Sequence, residues 1–264
     1  MEYELVAAVD LGSNSFRLQV GRVINDLVYP LDALKETVRL ASGLQSDKSL
    51  DLASRERALL ALSRFGERLR GFAPEAVRAV ATNTLRVAKN AQGFLREAEA
   101  ALGFPIEIIA GREEARLIYL GASHSLPVVS HKRLVADIGG GSTEFIIGKR
   151  FDPLLMESLY MGCVSYSLRY FPSGRVDRKS FREAELAAAR ELENIAHGYR
   201  ALGWKEAVGS SGTARAIADL VEDNGLNPDG ETGITAVGIE RLTSLLIKAG
   251  SAENRITGSG VGQS

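Results

Sequence analysis

Ala136-Asp137-Ile138-Gly139-Gly140-Gly141-Ser142-Thr143-Glu144 is the stretch whose reading decides the fold, because a version of it occurs earlier in the chain as Val9-Asp10-Leu11-Gly12-Ser13-Asn14-Ser15-Phe16-Arg17. Each copy has an aspartate, an aliphatic residue, a glycine and a small polar run ending in Ser15 or Ser142. Apolar residues lead into the acid (Leu5 to Val9, Leu134 to Ala136), and period-two apolar positions follow it (Leu18 and Val20, Phe145 and Ile147). That pattern predicts two strands joined by a tight turn, made twice.

The turn chemistry points to an anion. Glycines let the backbone approach a ligand and aim successive N–H groups inward, as phosphate oxygens require. An aspartate at the strand end would repel a phosphate unless a divalent cation lay between them, so acid and glycine turn together suggest a metal-phosphate site. One such hairpin is usually only a hairpin. Its recurrence suits two similar domains that face a cleft and supply one loop each.

The chain has 264 residues, 45% hydrophobic and 25% charged, enough for two domains of ordinary size. A net charge of -1 gives nothing that attracts nucleic acid or a membrane surface, so any polyanion affinity must be local. No apolar run approaches the roughly 20 residues of a membrane helix and the start lacks a basic signal segment, which predicts a cytoplasmic protein. Cys163 is the single cysteine, read as a packing residue, and the three histidines have no ligand spacing.

After the first hairpin, Val28 to Leu40 offers a third strand and Asp51 to Gly71 an amphipathic helix. Val77 to Ala81 reads as a strand, with Thr82-Asn83-Thr84 capping a helix whose first turn carries Arg86. Phe104 to Ala110 is a strand running into Gly111 and a helix that opens with Arg112, Glu113 and Glu114. On spacing alone the two glutamates are favourable charges at a helix start, and Arg86 is as readily a surface charge. The pattern loosens around 126–132, which places the domain boundary between 1–126 and 127–264. Beyond the second hairpin we expect a turn over Met161 to Ser165, a helix opened by a capping box at Ser180, and a strand at Glu206. That strand enters the turn Ser210-Ser211-Gly212 and a further helix, a ready anion or nucleotide site that many α/β crossovers also show without a ligand.

These features resemble one family. The two loops are similar to those of the actin-like and sugar-kinase superfamily, and with Ala81–Arg86, Gly111–Ile118 and Met161–Ser165 they resemble its exopolyphosphatase and guanosine pentaphosphate phosphohydrolase branch. The resemblance runs from about Val6 to Lys248. It implies an α/β fold of two actin-like (ribonuclease H-like) domains facing an interdomain cleft, with the second shortened at its C-terminus. The glycine-rich end Arg255 to Ser264 reads as a disordered tail.

The resemblance further implies roles. Asp10 and Asp137 would bind Mg²⁺ or Mn²⁺. Backbone N–H groups of Gly12, Ser13, Asn14, Gly139, Gly140 and Gly141, with the side chains of Ser13, Asn14, Ser15, Ser142 and Thr143, would hold the terminal phosphoryl group. Arg86 would line the phosphate path. Glu113 and Glu114 point about 100 degrees apart on a helix and cannot share a cleft. Glu114 matches the catalytic glutamate and would activate water, Glu144 would help place the metal or that water, and Ser210, Ser211 and Gly212 would form a secondary ligand contact. The substrate would be inorganic polyphosphate or guanosine pentaphosphate, with room for a homodimer. Two other classes compete: a non-catalytic phosphate or nucleotide sensor, and a small-molecule kinase of the same superfamily.

Overall fold

The repeated hairpin organises both sheets of the computed structural model, which describes residues 4–25 and 27–251. The chain divides into two compact units, one of residues 1–117 with 139–142, the other of 118–138 with 143–264. The tail read as disordered lies outside the described residues.

In the first unit, β1 (Leu5–Leu11), β2 (Phe16–Ile24) and β3 (Leu27–Glu36) form an antiparallel meander. Then β4 (Val77–Ala81) and β5 (Ile106–Ile108) add in parallel to give the order β3-β2-β1-β4-β5. Alternation sends Val9, Leu11, Phe16 and Leu18 to one face, where they are buried with Leu62 and Phe65 of α1 (Leu52–Arg68) and Phe94 and Leu102 of α3 (Ala91–Leu102). Asp51 caps α1 by accepting from the Ser54 N–H at 2.7 Å. Between β4 and α3 lies the five-residue helix α2 (Asn83–Val87).

The second unit repeats the plan. Here β6 (Lys132–Ile138), β7 (Thr143–Lys149) and β8 (Asp152–Leu159) are antiparallel and β9 (Glu206–Gly209) joins β6 in parallel, giving β8-β7-β6-β9 among the described residues. The helices are α5 (Cys163–Tyr170), α6 (Arg178–Leu202), α7 (Gly212–Asp223) and α8 (Ala236–Ala249). The repetition extends to register. Leu11 pairs with Phe16 and Ile138 with Thr143, so each hairpin closes on a four-residue loop. A bulge then interrupts each second strand, at Val20/Gly21 and at Ile147/Gly148, ten residues past Asp10 and Asp137 respectively.

Three local expectations are corrected. Met161 to Ser165 does not make only a turn, because α5 begins at Cys163 once Gly162 has supplied an extended cap. The long helix starts at Arg178 rather than Ser180: the Asp177 carboxylate accepts from both the N–H and the hydroxyl of Ser180, and a residue three positions earlier takes the cap. Strand β5 covers only three residues of the seven expected. The chain passes between units after Leu117, inside α4 (Gly111–Ser125), whereas the sequence reading puts the boundary beyond that helix, at 126/127. Just past that point Tyr119 is buried over Gly148, with its hydroxyl donating to the Arg150 carbonyl at 3.1 Å. No described helix is long and apolar enough to cross a membrane.

Close packing of α1 on α3 depends on Gly66, where a Cβ would lie 2.7 Å from the Leu102 carbonyl oxygen. Ala gains about 1 kcal/mol of helix propensity over Gly, but overpacking typically costs about 1–3 kcal/mol. Gly66→Ala is therefore expected to lower the urea midpoint, and an unchanged or raised midpoint would show that the two helices are not held this closely.

Candidate phosphate site

The first residue of each loop has to be glycine. A Cβ at Gly12 would stand 2.9 Å from the Ser15 carbonyl oxygen, and one at Gly139 would stand 3.0 Å from that of Ser142. In the second loop the Gly139 N–H donates to the same Ser142 carbonyl at 2.9 Å, closing the turn. In the first, the carbonyls are tied back: Asn14 O accepts from Arg39 N at 2.7 Å and Ser13 O from Ala41 N at 2.9 Å. Among the described residues no protein group accepts from the N–H groups of Ser13, Asn14, Gly140 or Gly141. Anchored carbonyls with unclaimed donors make an anion cradle.

The loop 139–142 packs within the first unit on Ser13, Asn14 and Asn83. Helix α2 brackets this arrangement through contacts of three of its residues. Asn83, 6% exposed, presses its amide on Gly141, where a Cβ would fall 2.3 Å from Nδ2. The Thr84 hydroxyl donates to the Ser13 hydroxyl at 2.7 Å. Arg86 donates to the Ile109 carbonyl at 3.0 Å and to Glu114 at 2.7 Å, in an ion pair whose side chains are 14% and 15% exposed. Arg86 is thus not a surface charge but the partner of the expected catalytic glutamate. Its fork of five donors leaves others for a ligand.

Glu113 has a different environment. It is 43% exposed and bonded twice to Arg116, at 2.7 and 2.8 Å, and that guanidinium holds its carboxyl below the usual glutamate range. Asp10 lies in β1 directly opposite Arg17, beside a cavity of about 600 Å³ on the outer face of the sheet.

In the second unit, Asp137 and Glu144 stand opposite each other across β6 and β7. Glu144 is 1% exposed and accepts from the Ser158 hydroxyl at 2.7 Å, while Asp137 accepts from the Ser210 hydroxyl. Two carboxylates opposed on neighbouring strands repel, and a cation relieves the repulsion. No group of three metal-ligating side chains occurs among the described residues. A pair of this kind could hold only an ion that takes one or two carboxylates and completes its shell with water and phosphate oxygens, as Mg²⁺ does. Ser211 caps α7, accepting from Ala214 N at 3.1 Å, and also accepts from Ile138 N at 3.2 Å. Gly212 is the first residue of α7. The Thr143 proton is given to the Met161 carbonyl at 2.5 Å.

The sequence reads Asn83 and Thr84 only as helix caps with Arg86 in the first turn, but no side chain caps the N-terminus of α2 and Arg86 lies in its last turn. The available signal was two polar residues at the start of a helix directly after a buried strand. The Asn83 Oδ1 is buried with no hydrogen-bond partner, an arrangement that proteins seldom leave standing away from a functional site. We expect Gly141→Ala to cost about 1–3 kcal/mol by overpacking, and Asn83→Ala in the same chain to recover most of it. A double-mutant cycle in melting experiments with coupling below about 0.5 kcal/mol would show that the two positions are independent.

Comparison with known proteins identifies the family and the fold. The model of the Ppx/GppA phosphatase family matches residues 20–263. A Haemophilus influenzae protein named as a candidate exopolyphosphatase is 44% identical over 241 residues, covering 91% of this chain and 72% of the relative. The solved structure of the Aquifex aeolicus PPX-GPPA enzyme superposes with a TM-score of 0.72 at 26% identity, over 92% of this chain and 81% of that one. A Cytophaga hutchinsonii exopolyphosphatase shares the fold, with a TM-score of 0.79 at 24% identity over 92% and 80% of the two chains. The repeated glycine loops and the Arg86–Glu114 pair therefore sit on a two-domain actin-like fold, and the chain belongs to the Ppx/GppA phosphatase family.

Proposed function

We propose that this chain is an exopolyphosphatase that hydrolyses the terminal phosphoanhydride of inorganic polyphosphate, and that guanosine pentaphosphate is a second substrate offering the same bond. The observation that carries the reading is α2, which fixes Glu114 through Arg86 while touching both glycine loops through Asn83 and Thr84.

Phosphoryl transfer to water needs positioning and charge neutralisation more than it needs a protein nucleophile. The N–H groups of Ser13, Asn14, Gly140 and Gly141 would hold the oxygens of the terminal phosphoryl group. Glu114 would take a proton from the attacking water as its oxygen bonds to phosphorus and the bridging P–O bond breaks, releasing phosphate and a chain one unit shorter. Arg86 keeps that carboxylate in one orientation and offers its remaining N–H groups to the phosphates. Asp137 and Glu144 would hold Mg²⁺ or Mn²⁺. The ion supplies positive charge against the phosphate oxygens. Ser210 and Ser158 orient the two carboxylates of the second unit.

Glu114→Gln keeps the Arg86 contact and should retain the melting temperature while losing about 10²–10⁴ in phosphate release from long-chain polyphosphate. Release at the wild-type rate would remove Glu114 from the reaction. Chelation should abolish release and added Mg²⁺ or Mn²⁺ should restore it. Asp137→Asn should raise the metal concentration needed for half activity at least tenfold, and an unmoved midpoint would place the ion elsewhere. Parallel kcat/KM measurements on polyphosphate and guanosine pentaphosphate decide which is preferred.

A further inference from the structure

At the end of the second sheet remote from its glycine loop, three lysines stand side by side on neighbouring strands. Lys132 opens β6 and is paired in register with Lys149 at the end of β7. Lys205, immediately before β9, donates its N–H to the Lys132 carbonyl at 3.0 Å. Adjacent strands lie about 4.8 Å apart, so the row spans about 10 Å. Like charges directly opposite one another on a sheet are destabilising. Among the described residues none of the three lysines is in an ion pair with a carboxylate.

Of the neighbouring acids, one is engaged elsewhere and one forms no ion pair with the row. Glu206 is bonded to Arg133 at 2.9 Å and to His131 at 3.2 Å. Asp152 stands opposite Lys149 on β8, but among the described residues the two make no ion pair. Lys132 donates to the Leu202 carbonyl at the end of α6 and keeps two further donors, while no hydrogen bond engages the ammonium groups of Lys149 and Lys205 among the described residues. All three lysines and His131 line a cavity of about 390 Å³, and its wall includes Trp204, 40% exposed and the only tryptophan in the chain.

We propose that this lysine row is a second anion site, which binds a short phosphoanhydride chain on the lysines with Trp204 alongside. Inorganic oligophosphate and nucleoside polyphosphate present the same chain, and only the latter adds a base that can stack on an indole. The site is distinct from the glycine loops: five residues of β6 separate Lys132 from Asp137, about 17 Å. It takes no part in the hydrolysis proposed above and does not depend on it.

Trp204 makes the site directly observable. In the Glu114→Gln background, chosen to slow any turnover, titration with tripolyphosphate should change tryptophan fluorescence saturably, with an affinity that falls as salt rises. ATP binding at least tenfold tighter than tripolyphosphate would name the nucleoside polyphosphate as the better ligand, and equal binding would name the phosphate chain alone. The double variant Lys149→Glu/Lys205→Glu should weaken binding at least tenfold, and the milder Lys149→Gln/Lys205→Gln should do so without reversing charge. In both, the unliganded melting temperature should hold or rise, and the tripolyphosphate-induced rise in melting temperature should shrink. A fluorescence signal insensitive to both ligands, or one that survives both double variants, would overturn the proposal.

Discussion

The contact between Asn83 and Gly141 is the constraint on which the geometry of the site rests. Glycine loops are soft, and four residues without large side chains do not hold a donor array by themselves. What fixes them is a buried amide set in the space a Cβ would fill, with the next residue tied to Ser13 and Arg86, one helical turn on, tied to Glu114. A helix of five residues contributes little stability of its own. Its value lies in rigidly spacing three contacts, so that moving any one of them moves the others.

Much of this was legible in the sequence because duplication exposes a constraint. A single Asp-aliphatic-Gly turn is unremarkable, but two copies that agree in acid, glycine and strand pattern imply a shared geometric demand, and the carbonyls of Ser15 and Ser142 are that demand. The strand Val77–Ala81 was bounded correctly by its apolar run and the polar residues after it. Glu114 was preferred over Glu113 by helix geometry and resemblance together, and the structure separates them by environment: one is shielded and paired to Arg86, the other half-exposed and paired to its own helix.

What stayed hidden depends on partners far apart in sequence. Nothing in the local pattern links Arg86 to Glu114, Glu144 to Ser158 or Tyr119 to Arg150, because each pair forms only when strands and helices from separate stretches meet. The cap of α6 was misplaced for the opposite reason, since Asp177 and Ser180 are both good caps and local chemistry alone does not rank them. The row of lysines was invisible as a row, its members lying 17 and 56 residues apart along the chain until register aligned them.

The membership of loop 139–142 in the first unit has a consequence for biosynthesis. The strands and helices of that unit are complete by Leu117, and its core can close as soon as they leave the ribosome. Its candidate phosphate cradle cannot, because the last four residues arrive only after β6 has been made. At about 5–20 residues per second, the nascent protein spends a second or more with a finished core and half a cradle. During that interval Ser13, Asn14 and Asn83 lack the contacts that Gly140 and Gly141 give them in the folded chain.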